Sequence, residues 1–146
     1  MTEETPHIGV LLFVAYRAME QEIYDTLHQL GFHATLAQGR LTARISEDGN
    51  RLTELAESAQ VTKQTASALV DQLEALGYVA RVPDPTDARA RIIRLAPRGR
   101  RAQAAARQVE ARILARWRNH LGERGTAQLE RQLVRLREIT DPYAPK

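Results

Sequence analysis

The sequence predicts a mainly helical α+β fold, and three observations carry that prediction. Residues 52–77 hold two helical segments joined by a tight bridge, two strand-like runs follow directly, and amphipathic stripes at helical spacing occupy both ends of the chain. Leu52–Ala59 reads as a short helix, with Leu55 and Ala56 as its inner face and Thr53 suited to capping its start. Gln60-Val61 bridges to a second run, Thr62 to Gly77. In that run Leu69, Val70, Leu73 and Leu76 fall at i, i+1, i+4 and i+7, one helical face. Thr62 is a good N-cap, and Gly77 sits where a left-handed C-terminal cap is wanted.

The leading turn of this second helix carries only polar or small side chains: Lys63, Gln64, Thr65 and Ser67. An apolar rear behind a polar leading turn suits a helix whose N-terminal end enters a DNA major groove. There Gln64 and Lys63 would bond base edges, while Thr62, Thr65 and Ser67 would hold phosphates. Tyr78–Val82 alternates like a strand, Arg91–Leu95 is a second strand, and Pro83–Ala90 between them is read as an irregular loop because of its Pro and Asp. The order is helix, turn, helix, strand, loop, strand, that of a winged helix-turn-helix. Arg89 and Arg91 are placed to enter the negative potential of a minor groove.

The run Asp84-Pro85-x-Asp87-x-Arg89-Ala90-x-Ile92-Ile93-x-Leu95-x-Pro97-x-Gly99 resembles the wing signature of the multiple-antibiotic-resistance regulator (MarR) family of bacterial transcription factors. Upstream, Leu55-Ala56, Val61-Thr62, Leu69-Val70, Leu73-Glu74 and Gly77-Tyr78-Val79-x-Arg81 match the family's helix-turn-helix in order and spacing. The resemblance implies a homodimer, with Asp87 bracing the wing and Arg89 as its DNA-facing tip. Ala88 stands where the family often has a second Arg, which weakens wing electrostatics. Ala96 replaces the usual Thr, which removes a helix cap.

Charge is distributed in the same sense. The net charge is only +3, but residues 1–30 carry −4 and residues 61–101 carry +4. Positive charge on the element already nominated by pattern is the footprint of phosphate binding, set against the alternative of ordinary solvated basic faces. There is no cysteine, which excludes disulfides, thiolate metal sites and cysteine redox sensing. No apolar run approaches membrane-spanning length and no signal peptide is read, so a cytoplasmic, nucleoid-associated protein is expected.

The flanks are helical. His7–Leu30 presents Ile8, Leu11, Leu12, Ala15, Ile23, Leu27 and Leu30, and Ala34–Ile45 is a second helix weakened by Gly39. After Pro97 an Ala/Arg helix runs to about His120 with Ala102, Ala106, Val109, Ile113 and Trp117 in register. Gly122 and Gly125 interrupt it, and a last helix over Thr126–Thr140 presents Leu129, Leu133 and Leu136. Three segments of one structural domain follow: a dimerisation helix in 1–34, the DNA-binding module in 35–99 and C-terminal dimerisation helices in 100–146. The terminal stripes need a partner, either each other within one chain or the same helices across two. A dimer would present two reading helices to half-sites about one helical turn apart.

In the family, effectors are often aromatic acids or lipophilic compounds held between the dimer helices and the DNA module. Phe13, Tyr16, Arg17, His33, Arg40 and Trp117 lie in the matching segments, as ligand contacts or as interhelix packing. An enzyme would need a catalytic constellation, and the chain has no HExxH, GxSxG or Walker A motif. His28 and His33, five apart with Gly31 between them, make a poor metal pair, so no metal or cofactor is expected. The reading is a homodimeric DNA-binding repressor of a pseudo-palindromic operator, released by a small molecule. The alternatives are a constitutive DNA binder or a winged-helix protein-interaction module, although the latter would be expected to lose the polar turn and wing Arg retained here.

Overall fold

In a computed structural model, residues 4–144 are described, and the outermost residues of the 1–34 and 100–146 segments lie outside them. The element order is α1 (Ile8–Gln29), α2 (Leu36–Thr42), α3 (Leu52–Ser58), α4 (Lys63–Ala75), β1 (Val79–Asp84), β2 (Asp87–Leu95) and α5 (Pro97–Thr140). A mainly helical architecture with one antiparallel hairpin is what the sequence predicts.

Local chemistry sets the boundaries. The start of α1 is capped by the His7 ring, whose Nδ1 accepts from Gly9 N at 3.1 Å. The second helix is shorter than the Ala34–Ile45 span. It opens at a capping box in which Thr35 Oγ1 accepts from Gln38 N at 3.1 Å and Thr35 N donates to Gln38 Oε1 at 3.0 Å, and it closes by Ala43. Thr53 does not cap α3, because Arg51 occupies the N-cap position and Thr53 lies inside the helix. At the end of α4, Gly77 takes φ +80°, with Gly77 N bonded to Glu74 O and Tyr78 N to Leu73 O. That pairing satisfies the last carbonyls and turns the chain sharply into β1.

The wing is more regular than the sequence indicates. The segment Pro83–Ala90 is not an irregular loop. Pairing continues from Val79↔Leu95 through Pro83↔Arg91 to Asp84↔Asp87, and a bulge takes up Ala88, Arg89 and Ala90. Pro83 is tolerated because each strand of a two-stranded ribbon has a free edge. Asn50 adds a one-residue bridge to Ile93 on the other side of β2.

One core lies within residues 41–93: Leu41, Ile45, Leu55, Ala56, Ala66, Val70, Leu73, Tyr78, Val79 and Ile93. α5 begins with Pro97 at its first turn and no side-chain cap at Ala96. It then passes so close to the strand start that a Cβ on Gly99 would lie 2.1 Å from Tyr78 O. α1 packs along α5, where Arg116 pairs with Glu22. Gly122 (φ +77°) kinks α5 and separates its two helical halves, whereas Gly125 stays helical. Thr126 Oγ1 donates to Gly122 O at 2.9 Å across that kink. No helix among the described residues is long and apolar enough to cross a membrane.

Candidate nucleic-acid interface and effector cavity

The leading turn of α4 is held rigidly from behind. Ala66, Val70 and Leu73 are buried, and the Thr62 hydroxyl accepts from Thr65 N at 3.1 Å and donates to Thr65 Oγ1 at 2.9 Å. Thr62 therefore works chiefly as the cap. Lys63, Gln64 and Thr65 are exposed and Ser67 is half-buried. The side chains of Lys63, Gln64, Arg89 and Arg91 have no hydrogen-bond or ion-pair partner among the described residues, and both arginines are exposed. Polar groups held at the end of a rigid helix and left unpaired are free to bond a groove.

The wing turn is fixed by carboxylates. Asp84 accepts from Thr86 N at 2.8 Å and Thr86 Oγ1 at 2.7 Å, and its other oxygen accepts from Arg51 Nε and Nη2 at 3.0 and 2.7 Å. The Thr86 hydrogen bonds, helped by Arg51, hold the Asp84 carboxyl down to about 2. Asp87 accepts from Arg89 N at 3.0 Å and lies 3.9 Å from Arg51. Arg51 went unnoticed in the sequence because its partner is 33 residues away, and no local pattern marks such a pair. Arg81, counted among the basic excess, is tied to Asp71 at 2.7 Å and Glu74 at 3.0 Å. It fastens β1 to α4 instead of facing DNA.

Between α1, α2 and the first half of α5 lies a cavity of about 420 Å³. Tyr16 and Arg40 line it; Phe13, Arg17, His33 and Trp117 do not. Phe13 is 63% exposed on the outer face of α1, and Trp117 is half-buried further along α5. His33 meets His28 edge-on at 5.2 Å, and among the described residues no cluster of His, Asp or Glu could hold a metal. The polar centre of the cavity is Glu20, which the sequence did not single out. Arg40 donates Nε and Nη2 to its two oxygens at 2.6 and 2.7 Å, Tyr16 donates at 2.6 Å, and Arg17 pairs with it as well. The Arg40 hydrogen bonds lead in holding the Glu20 carboxyl down to about 2, against the opposing effect of burial. Burial and the Glu20 contact push the Tyr16 hydroxyl up.

Comparison with known proteins decides the family. A profile described as MarR family matches residues 49–90. A Mycobacterium tuberculosis MarR family protein, solved in complex with salicylic acid, is 30% identical; the match covers 93% of this chain and 99% of that one, with TM-score 0.63. The chain belongs to the MarR family. A transcriptional regulator from Thermotoga maritima is 26% identical over 90% of this chain and 92% of its own, with TM-score 0.62. MarR from E. coli in its apo form shares the fold at 21% identity, 92% and 98% coverage and TM-score 0.70. No curated protein matches. As a MarR protein the chain is a DNA-binding transcriptional regulator and not an enzyme.

Proposed function

We propose that this MarR protein is a homodimeric repressor that binds a pseudo-palindromic operator and leaves it when a small aromatic or lipophilic molecule enters the cavity, acting in the cytoplasm at the nucleoid. One observation carries the DNA-reading part. Lys63, Gln64 and Thr65 at the tip of α4 and Arg89 and Arg91 on the wing are exposed on one braced module. In this reading Gln64 and Lys63 contact bases, Thr62, Thr65 and Ser67 support the backbone contacts, and Asp87 holds the wing turn from which Arg89 projects.

The dimer reading is supported by apolar side chains that α1 and the last half of α5 leave in solvent. Ile8 is 68% and Ile139 84% exposed, and Leu11, Leu12, Val14, Leu133 and Val134 are also open. An apolar patch exposed on a soluble protein commonly marks a partner's seat, and both helices supply large apolar side chains for one. The terminal segments 1–34 and 100–146 would thus clasp a second chain, while 35–99 reads DNA. Effector release is supported by the position of the cavity, which touches α1, α2, α5 and the junction of α4 with the wing. The test is selection of duplexes from a random pool by the purified protein, followed by footprinting. A protected site with two half-sites about one helical turn apart is expected, and uniform binding to all duplexes would overturn the reading.

A further inference from the structure

The far end of the chain comes back to its middle. α5 leaves the wing at Pro97 and kinks at Gly122, and the residues after its last turn lie against α3 and the loop that follows α2. Asp141 is the centre of that contact. One of its oxygens accepts from Arg44 Nη2 at 2.8 Å and from Tyr143 N at 3.0 Å, and the other accepts from Arg137 Nε at 2.8 Å. The Tyr143 hydroxyl donates to Glu57 on α3. The Arg137 and Arg44 hydrogen bonds hold the Asp141 carboxyl down to about 2, so the bridge is charged at neutral pH. Arg44 has no other ion-pair partner among the described residues, and its Nε is buried without a hydrogen bond.

The bridge joins two parts with different tasks in the proposed function. Arg44 lies between α2 and α3, beside the core residues Leu41 and Ile45, and both helices pack on α4. Arg137 lies among Leu133, Val134, Leu136 and Ile139, the exposed side chains proposed to clasp a second chain. Among the described residues, Arg44–Asp141 is the one ion pair between the segment 35–96 and the half of α5 beyond Gly122. We propose that Asp141 is a positioning residue for operator recognition. Its bridge to Arg44, supported by Tyr143 on Glu57, sets the angle of the head formed by α2–α4 and the wing against the dimerising half of α5, and so the separation of the two α4 tips. This rests on the dimeric reading above. A head held at one angle meets its second half-site at high effective concentration only when the spacing matches, whereas a head free to pivot accepts more spacings and gains less from each.

The test uses the full-length protein and the duplex selected from the random pool. Further duplexes carry the half-sites moved together or apart by one and two base pairs, or a single half-site. Asp141→Ala should sediment as the intact protein does and bind the selected duplex about tenfold more weakly. Its affinity for the single half-site should be unchanged, and its dependence on spacing correspondingly flatter. Tyr143→Phe, which loses only the Glu57 bond, should move the same quantities in the same direction by about threefold. Arg137→Ala, which breaks only the pair within α5, should keep the spacing dependence of the intact protein. Equal weakening on single and paired half-sites, a monomeric Asp141→Ala, or a spacing dependence unchanged in both variants would overturn the positioning role and leave the dimer reading standing. Should Asp141→Ala fail to fold, the Tyr143→Phe result decides alone. Sedimentation of the intact protein as a monomer would remove both readings together.

Discussion

At the scale of single residues, the wing separates two kinds of arginine that look alike in sequence. Arg51 is locked on Asp84, whereas the Arg89 side chain is unpaired. Arg89→Ala should therefore leave the melting temperature unchanged and lower the slope of log K against log salt by about 0.9, the value for one phosphate contact. Arg51→Ala should do the reverse, lowering the melting temperature through loss of the wing brace. Gln64→Ala should cost about 1–3 kcal/mol per half-site and relax selectivity at one base pair, read by titrating the variant against every substitution of the selected site. The carboxylates set a pH dependence. Glu20 and Asp84 both have folded values near 2, below their ordinary values of 4.5 and 3.8. A depressed carboxylate stabilises the fold above its unfolded value and loses that contribution as pH falls towards the folded one. Melting temperature should thus be insensitive to these groups at neutral pH and fall between about pH 4.5 and 2. Asp84→Asn should flatten that fall. The polar tip of α4 and Arg89 were legible because they are local, but Glu20, Arg51 and Tyr78 were not, because each matters through partners distant in the chain.

At the scale of elements, helix periodicity placed α1, α3, α4 and the break at Gly122 within a few residues. The same reasoning failed at Pro83–Ala90, where Pro and Asp suggested a loop and cross-strand pairing with a bulge prevailed. Composition reports local preference, whereas a ladder depends on what lies opposite. The α4 rear face is the keystone of the core, since Leu73 packs fully buried beneath the wing and α2. Leu73→Ala should destabilise by about 2–5 kcal/mol in chemical denaturation. Gly99→Ala should also destabilise, because the added Cβ would press on the Tyr78 carbonyl, which is backbone and cannot swing aside. The expected signature is lost melting temperature together with weakened DNA binding, because the start of α5 packs directly on the α4–wing junction at Tyr78.

At the scale of the whole molecule, the core lies in the central segment from Leu41 to Ile93, and the ends of the chain leave apolar side chains open. That division was readable in the sequence as stripes at both termini. Whether the stripes meet within one chain or across two was not, since periodicity names a face and not its partner. Sedimentation equilibrium should give twice the 16.4 kDa chain mass, and removal of residues 126–146 should yield monomeric or insoluble protein with little affinity for DNA. The central claim is that a braced helix tip and wing read a specific duplex. It is tested most directly by measuring, at one fixed salt concentration, the affinity of the intact protein for its selected site and for a scrambled duplex of the same composition. The account predicts tighter binding to the selected site by a factor of about 10³ or more. Equal affinity for the two duplexes would contradict it.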